Sequence, residues 1–316
     1  MSRMGVVSGS KGRFPRSLLE FQVRFAAESA CAEYLFARRW PDGFVGPGCS
    51  GGRAWLLQTK AFTYECADCR RQTSVTAGTI MHASKLPLTI WFWAAFLMAT
   101  HSNGISALQL QNQLGLGSYR TAWMLCAKLR RAMVKPEREP LSGLVEADET
   151  IIPFRTKNDP VVLPARRSGV GKMLVAGAVE INGGKPGRAR LKVIAGFGKH
   201  ELHAFVLGAV TPHTQLVTDD WPSYHDIPAI RHNAITLGPM AAHIALPWIH
   251  RLFSNLKRWG LGVYHGLRKT NLQYYLDEFV FRFNRRRTRH AAFDAVLGIG
   301  TRTAPAPYHI LIRKAA

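Results

Sequence analysis

The chain lacks the features that mark membrane-spanning, secreted or disulfide-linked proteins. Its longest apolar run, residues 86–99, is too short to cross a bilayer comfortably and contains Pro87 and Thr89, so it predicts a buried helix. The first residues show no apolar segment of the kind that a secretory signal requires. The five cysteines are an odd number, which argues against a disulfide framework and fits an expected cytoplasmic location.

Acidic residues are also scarce. The 316 residues include 42 Lys and Arg against 20 Asp and Glu, which gives a formal charge of +22. Such an excess favours a polyanionic partner, and nucleic acid is the most plausible one. Hydrophobic residues make up 47% of the chain, which excludes a largely disordered protein and predicts two or three folded domains.

Two of the cysteines, Cys66 and Cys69, form a CxxC turn in "YECADC". This spacing lets two thiolates of one turn bind a single zinc ion, and a tetrahedral structural site requires a second pair. Upstream, "GPGCS" supplies Cys49 but has Gly46 where the partner cysteine would stand. Three interpretations stay open. The thiols are unliganded, or they form a three-cysteine site completed by water or by a nearby donor such as Asp42, Asp68 or His82, or they bind metal weakly or in a redox-sensitive way.

Residues 104–133 have the form of a helix-turn-helix, in which "GLGS" supplies a glycine turn and Ser118 caps the second helix. Two interpretations are equally open: a helix presented to a DNA groove, or a hairpin packed internally with solvated charges. The residues that would contact DNA in the first interpretation are Tyr119, Arg120, Lys128, Arg130 and Arg131, joined by Arg285 and Arg286 from a later basic run.

From residue 141 the pattern changes to strands mixed with helices. The segments "GLVEADETII", "KMLVAGAVEI", "RARLKVIAGF" and "TQLVTDDW" read as strands, and "KHELHAFVLGAV" predicts a helix before the fourth of them. Further helices are predicted at about 246–260 and 270–285. This order predicts an α/β domain compatible with the RNase H-like fold, although periodicity alone does not select that fold.

Two aspartates stand out in these strands. Asp148 lies in "VEADET", and Asp219 lies in "LVTDDW" directly after a buried-looking strand. Carboxylates on neighbouring strands can converge on divalent metal ions, which activate water for phosphodiester cleavage. Glu149 and Asp220 are adjacent alternatives whose side chains should point to other faces. Taken singly, each aspartate is better explained as the end of a strand or the cap of a turn.

The segment "LPWIHRLFSNLKRW" reads as a helix with His250 and Lys257 on one face, because seven residues are nearly two turns. Asn255 falls on the other side. A neutral imidazole can bind a metal ion, and a lysine on the same face can hold a phosphate. Judged alone, a surface histidine and lysine are the simpler explanation. The two residues flank an apolar stripe formed by Ile249, Leu252, Phe253 and Leu256.

These patterns predict five parts of the chain. They are a disordered tail (1–15), an N-terminal helix with a zinc-ribbon-like domain (16–85), a helical, helix-turn-helix-like DNA-binding region (86–140), an α/β catalytic domain (141–295) and a C-terminal tail (296–316). The break "KPEREP" marks the boundary near residue 140.

The chain resembles bacterial insertion-sequence transposases of the DDE superfamily, in the group with an N-terminal zinc ribbon and an ISXO-type catalytic domain. The likeness runs from about residue 14 to residue 289. It rests on "RWPDGF", "YECADCRRQTSVTAGTI", "ISALQLQNQLGLGSYRTAW", "VEADET", "GGKPGRARLKVI", "VTDDWPSY" and "FSNLKRW" with "YYLDEFVFRFNRR". Two departures are Gly46 in place of a ribbon cysteine and Asp220 in the "VTDGW" pattern.

The resemblance implies an RNase H-like fold and metal-dependent cleavage and transfer of DNA strands at the ends of an insertion sequence. It implies Mg²⁺ or Mn²⁺ at Asp148, Asp219 and a third ligand, commonly glutamate, seven residues before a basic residue. Counting back from Lys257 assigns His250 to that place, with Asn255 as the second candidate. Zn²⁺ would be held by Cys49, Cys66 and Cys69 without a fourth cysteine.

The resemblance also implies partners and a location. The partners are double-stranded DNA, both transposon ends and target, and further copies of the chain in a homo-oligomer on DNA, with no membrane involved. The location is the bacterial cytoplasm, in association with the nucleoid. The alternative from another class is a catalytically inactive DNA-binding protein derived from a transposase. A zinc-dependent RNA-binding factor is favoured by charge alone.

Overall fold

The computed structural model of the chain describes residues 15–135, 137–153, 172–236, 242–264 and 267–312. The predicted tail at 1–15 lies outside these residues, except for Pro15. These described residues divide into two compact units, one from the ranges 15–135 and 288–311 and the other from the range 137–287 with residue 312. In the described ranges, the apolar helices all fall short of what a bilayer crossing needs.

The elements are numbered in chain order. The helices are α1 (Leu18–Arg24), α2 (Glu28–Arg39), α3 (Leu88–Thr100), α4 (Ala107–Leu114), α5 (Tyr119–Arg131), α6 (Lys199–Ala209), α7 (Ala242–Ala245), α8 (Pro247–Val263), α9 (Leu272–Asn284), α10 (Arg289–Gly300) and α11 (Tyr308–Ile312). The strands are β1 (Ala54–Leu56), β2 (Thr63–Cys66), β3 (Gln72–Ser74), β4 (Leu144–Pro153), β5 (Lys172–Asn182), β6 (Lys185–Ile194), β7 (Gln215–Asp219) and β8 (Arg231–Ile235).

Aromatic side chains from α1, α3 and α10 form the core of the first unit. Phe21 stacks on Phe96 with ring centroids 4.3 Å apart, and Phe293 of α10 meets Phe21 edge-on at 5.4 Å. The sequence predicts that the catalytic domain ends at residue 295 and that a tail follows it. In the structure, α10 instead belongs to the first unit, where Phe293 completes this aromatic cluster. The sequence does carry the signal for α10: apolar residues recur at helical spacing at Ala292, Phe293, Val296 and Leu297, all buried.

The helical region of the first unit lies close to its predicted position. Ser106 and Ser118 cap α4 and α5, each accepting the backbone N–H three residues later at 3.1 Å. Gly115 ends α4 with a φ of 60°, in the left-handed region that favours glycine. A small antiparallel sheet, in the order β1-β2-β3, lies in the same unit and contains Cys66 at the end of β2.

The second unit is built on a five-stranded mixed sheet in the order β6-β5-β4-β7-β8. Strands β4, β5 and β6 pair antiparallel, whereas β7 runs parallel to β4 and β8 runs parallel to β7. The sequence does not predict β8, because this mostly exposed edge strand, "RHNAI", lacks an apolar alternation. The four other strands fall where they are predicted.

Helices cover both faces of this sheet. Apolar residues of α8 and α9 pack on one face and those of α6 pack on the other. The predicted stripe of α8 is confirmed as the buried side of that helix, since its members are at most 4% exposed: Ile249, Leu252, Phe253 and Leu256. An α/β architecture with a mixed sheet is therefore present.

Candidate metal centres

Asp148 and Asp219 stand at the same level on neighbouring parallel strands. Asp148 lies inside β4 and Asp219 is the last residue of β7. The register pairs Leu144 with Gln215, and each aspartate lies four residues beyond its member of that pair. Because side chains alternate along a strand, both aspartates project from the face that α8 covers. The Asp148 side chain is 12% exposed.

Helix α8 brings His250 to the same place. His250 Nε2 lies 3.5 Å from Asp148 Oδ2. Lys257, two turns later, lies near enough for its charge to act on both Asp148 and His250. Asn255 is exposed on another side of the helix. The structure thus gathers the two aspartates, the histidine and the lysine, and leaves Asn255 apart from them.

A glycine lets α8 approach the sheet closely. Gly177 of β5 pairs directly with Asp148 and lies on the same face. A Cβ atom at Gly177 would lie 2.6 Å from Phe253 Cε1, closer than real Cβ contacts come, and 3.0 Å from Ile249 Cδ1. The absence of a side chain at Gly177 therefore sets the depth at which α8 carries His250 towards Asp148.

A buried glutamate fixes the start of the same helix. Glu146, two residues before Asp148 on the same face of β4, is 4% exposed. Its Oε2 atom accepts the backbone N–H groups of Trp248 and Ile249, each at 2.8 Å. These N–H groups belong to the first turn of α8, where helical N–H groups lack partners within the helix. Glu146 therefore joins the strand of Asp148 to the helix of His250.

Without a bound cation, the surroundings of Asp148 disfavour the charged form of its carboxyl group. Burial raises the pKa of Asp148 to about 7, and the charges of Glu149 and Asp219 act in the same direction. Burial also raises the pKa of Asp219. Burial lowers the pKa of His250, so its imidazole is neutral at pH 7 and available as a metal ligand. A cation between these groups would reverse the penalty on the carboxylates.

Two atoms at this place are buried and lack partners. Asp219 Oδ1 and His250 Nε2 have no hydrogen-bond partner among the described residues. Buried polar atoms normally have a partner, so these two atoms suit contact with a cation. Carboxylate oxygens with one imidazole suit a divalent cation, Mn²⁺ better than Mg²⁺ because of the nitrogen. The residues present therefore fit the implied metal.

The adjacent carboxylates, Glu149 and Asp220, contact residues other than His250. The Tyr224 hydroxyl donates to Glu149 Oε2 at 2.7 Å on the opposite face of the sheet. Asp220 contacts His225 at 3.2 Å and accepts from the Thr236 hydroxyl at 3.1 Å. The Tyr224–Glu149 pair is a feature that sequence reasoning missed, although "WPSY" directly follows Asp220 and contains its tyrosine.

The cysteines form the second candidate centre. The Sγ atoms of Cys49, Cys66 and Cys69 all lie within 4.8 Å of one another, and those of Cys49 and Cys66 are 3.5 Å apart. Backbone N–H groups of Cys69 and Asp68 lower the pKa of Cys66, which favours its thiolate. The carboxylates and His250 of the second unit do not form an equally tight set of three among the described residues.

The other suggested zinc donors are engaged elsewhere or stand apart. Asp68 accepts from Arg53 at 3.0 Å, and His82 Nδ1 accepts from the Gly78 N–H at 3.2 Å. Neither these two nor Asp42 joins the tight cysteine group in the described part of the chain. Three thiols in this geometry suit zinc, which prefers sulfur and nitrogen ligands.

The basic residues proposed for DNA contact have contrasting positions. Tyr119 and Arg120 are exposed at the start of α5, where Arg120 lies 4.0 Å from the ring centre of Tyr308. Arg130 is 2% exposed, so its side chain offers no surface to DNA in this chain. Lys128 and Arg131 are half-buried, and burial lowers the pKa of Lys128. DNA contact by these residues stays a prediction.

Arg285 and Arg286 of the second unit are also partly committed to the protein. Arg285 stacks on Phe281 with its guanidinium 3.9 Å from the ring centre. Arg286 donates to the carbonyls of Pro186 and Gly187. Their assignment to DNA binding likewise stays a prediction, and sequence alone gave no sign of these backbone contacts.

Two protein-family models match the chain. Residues 140–284 match the ISXO2-like transposase domain, and residues 26–72 match the transposase zinc-ribbon domain. The chain belongs to this transposase family. The transposase domain covers Asp148, Asp219 and His250, and the ribbon covers the cysteine cluster, so each candidate metal centre lies within one matched domain.

Other comparisons add little to this assignment. No curated protein matches the chain. A chain of the cryo-EM structure of the simian T-cell lymphotropic virus intasome in complex with PP2A regulatory subunit B56 gamma matches at 15% identity. The match covers 54% of this transposase and 67% of that chain with a TM-score of 0.28, which is too slight to carry an argument.

Proposed function

We propose that this chain is a DNA transposase that cleaves and joins strands at the ends of an insertion sequence, with Mn²⁺ or Mg²⁺ held by Asp148, Asp219 and His250. The observation that carries the proposal is the pair of buried atoms Asp219 Oδ1 and His250 Nε2, which have no hydrogen-bond partner among the described residues and lie beside a desolvated Asp148. Such acceptors, gathered at one edge of a sheet, fit a site built for a cation.

The topology supports an RNase H-like fold for the second unit. Three antiparallel strands are followed by a helix, a parallel strand beside the first, and further helices. This is the order that the sequence predicts, with β8 added at the edge. In this fold the two aspartates come from adjacent central strands, as β4 and β7 supply them here.

Each residue has a distinct role in this proposal. Bound divalent ions supply activation of a water or hydroxyl nucleophile and stabilisation of the leaving oxygen. Asp148 and Asp219 bind the ions through oxygen, and His250 completes the set as a neutral imidazole. Lys257 holds a DNA phosphate beside them, since its ammonium faces the same group of side chains.

The partners follow from charge and from the reaction. A net charge of +22 favours DNA, and two transposon ends require two active sites, hence a homo-oligomer on DNA. Tyr119 and Arg120 are the exposed candidates for DNA contact at the start of α5. Each phosphate contact adds roughly −0.9 to the slope of log affinity against log salt. A nucleoid location follows from the same proposal.

The test is strand transfer by the purified full chain on DNA carrying the element's ends, with Mn²⁺ or Mg²⁺. We expect Asp219→Asn to reduce cleavage and transfer by at least about 10³-fold while salt-dependent DNA binding is retained. Asp220→Asn is the matched control, because Asp220 points to other partners, and it should keep most activity. DNA binding without any cleavage by the unmodified chain would instead favour the catalytically inactive alternative.

A further inference from the structure

Two turns of the zinc-ribbon domain share one backbone design, although only one of them carries two cysteines. In the first, the Ser50 N–H donates to the Gly46 carbonyl at 3.1 Å; in the second, the Arg70 N–H donates to the Cys66 carbonyl at 3.1 Å. Ser50 and Arg70 also share a φ of 59°, a left-handed conformation that non-glycine residues seldom adopt.

The correspondence extends to the next hydrogen bond. The Gly46 N–H donates to the Gly51 carbonyl at 2.8 Å, and the Cys66 N–H donates to the Arg71 carbonyl at 3.0 Å. The two turns therefore match residue by residue. Gly46 occupies the place of Cys66 and Cys49 occupies the place of Cys69. The first turn retains the backbone of a two-ligand turn after losing one ligand.

The side chain missing at Gly46 would point into the cysteine cluster. A Cβ atom built there would lie 2.8 Å from Cys66 Sγ and 3.1 Å from Cys49 Sγ. The fourth corner of the site therefore coincides with Gly46. Cys49 is exposed and Cys69 is half-buried, so the cluster borders solvent on one side.

Backbone N–H groups point at two of the three remaining corners, Cys49 and Cys66. The Gly51 N–H donates to Cys49 Sγ at 3.4 Å, and N–H groups of the second turn point at Cys66. The side chain of Arg71 lies against Gly48 of the first turn, which places a positive charge near the cluster. Such contacts stabilise metal-bound thiolates.

We propose that the ribbon binds zinc through Cys49, Cys66 and Cys69, and that the coordination position vacated at Gly46 accepts a small external thiol. Zinc prefers four tetrahedral ligands, and sites with three protein ligands keep the fourth position for water or another exchangeable donor. Binding is ligand exchange: the thiol loses its proton to solvent, its sulfur binds the metal, and a water molecule leaves. This inference does not depend on DNA strand chemistry.

The test uses Co²⁺ as a spectroscopic substitute for zinc in the full chain, with 2-mercaptoethanol as the external thiol. The intensity of thiolate-to-cobalt charge transfer reports the number of bound sulfurs. We expect the unmodified chain to show three thiolates and to gain about a third more intensity, saturably, as the thiol is added. The fourth sulfur should also shift the visible cobalt bands.

Gly46→Cys should show the four-thiolate spectrum without added thiol and should not respond to it. Gly52→Cys is the matched control, because a Cβ there has its nearest neighbour, the Phe44 carbonyl, at 3.8 Å and does not reach the cluster. It should behave like the unmodified chain. The titration of the unmodified chain decides the question even where Gly46→Cys does not fold. An unresponsive spectrum, a four-ligand protein spectrum, failure to bind Co²⁺ or loss of the metal to the thiol would each overturn the proposal.

Discussion

The two candidate metal centres differ in what each one lacks. The cysteine cluster is tightly gathered, with its three sulfur atoms within 4.8 Å, yet one protein ligand is replaced by Gly46. At the candidate centre, Asp148, Asp219 and His250 lie less tightly together, and two of their buried atoms have no hydrogen-bond partner within the described part of the chain. Short turns impose the first geometry locally, whereas packing between a sheet and a helix imposes the second.

This difference between the two centres indicates where each of them tolerates an amino-acid substitution. A CxxC turn keeps its shape through its own backbone hydrogen bonds, so the loss of a ligand at Gly46 leaves the fold of that turn in place. The second centre depends on residues that are not ligands, chiefly Gly177 and Glu146, because they position α8 against β4. We therefore expect the second centre to be sensitive to changes away from the metal.

The two centres can be distinguished most sharply by measuring the binding of two different metal ions. Cys66→Ser should remove the thiolate-to-cobalt absorption and leave Mn²⁺ affinity within about twofold, because Mn²⁺ prefers oxygen ligands. Asp219→Asn should do the reverse, weakening Mn²⁺ by at least about tenfold with the cobalt absorption unchanged. Parallel Co²⁺ absorption and Mn²⁺ titrations provide the measurement. Loss of both metals in either variant would show that the centres are not independent.

A methyl group at Gly177 should disturb the second centre without touching a ligand. Gly177→Ala places Cβ 2.6 Å from the Phe253 ring, so that ring or α8 must shift, and we expect a loss of about 1–3 kcal/mol in the free energy of unfolding and weaker Mn²⁺ binding. Gly208→Ala is the control, because its Cβ on α6 meets open space. It should be neutral or stabilise by up to about 1 kcal/mol. Urea denaturation measures both, and equal effects would contradict the packing argument.

Removal of the Glu146 carboxylate should loosen the start of α8. Glu146→Ala leaves the N–H groups of Trp248 and Ile249 without their acceptor, which costs about 1–3 kcal/mol. Glu146→Gln keeps a side-chain oxygen that can accept these bonds and should recover part of the stability and of the Mn²⁺ affinity. Denaturation and Mn²⁺ titration provide the readouts. If alanine and glutamine behaved alike, the hydrogen bonds would not be the cause.

Neutralising Asp148 should stabilise the metal-free protein. A pKa raised to about 7 means that the folded state disfavours the charged form, so above pH 7 the charge lowers stability relative to the unfolded chain. At pH 8 with a chelator, Asp148→Asn should raise the free energy of unfolding by about 1–2 kcal/mol. With Mn²⁺ the order should reverse, since only the unmodified protein gains binding energy.

Asp226→Asn is the control for this effect. Asp226 is exposed and pairs with Lys199 at 2.9 Å, which lowers the pKa of Asp226, so its removal should not stabilise. An equal gain in stability from both variants would attribute the effect to general charge rather than to the buried site.

The sequence predicted the elements whose periodicity is strong and local. The apolar stripe of α8, the cap at Ser118 and the four apolar strands all follow from neighbouring residues. Strand β8 and helix α10 were less accessible, because β8 is an exposed edge and α10 depends on aromatic partners distant in sequence. Because α10 lies near the C-terminal end of the sequence, its last residues were assigned to the predicted tail.

The sequence allowed the candidate site residues to be chosen, but it did not give their geometry. The seven-residue spacing indicates that His250 and Lys257 share a face, yet it does not show that Nε2 reaches Asp148. Likewise, Arg130 reads as a surface base in "KLRR", whereas tertiary packing buries it. Glu146 reads as one more acidic residue of "VEADET", and its role at the start of α8 emerges only from contacts across about a hundred residues.

The most direct test of the central claim is the Mn²⁺ affinity of the purified chain, measured by electron paramagnetic resonance, for the unmodified protein, His250→Ala and Asn255→Ala. If Asp148, Asp219 and His250 form one divalent-metal site, His250→Ala should weaken Mn²⁺ binding by at least about tenfold, and Asn255→Ala should leave it unchanged. Unchanged affinity in His250→Ala, or a loss confined to Asn255→Ala, would contradict the assignment and return His250 to an ordinary helix side chain.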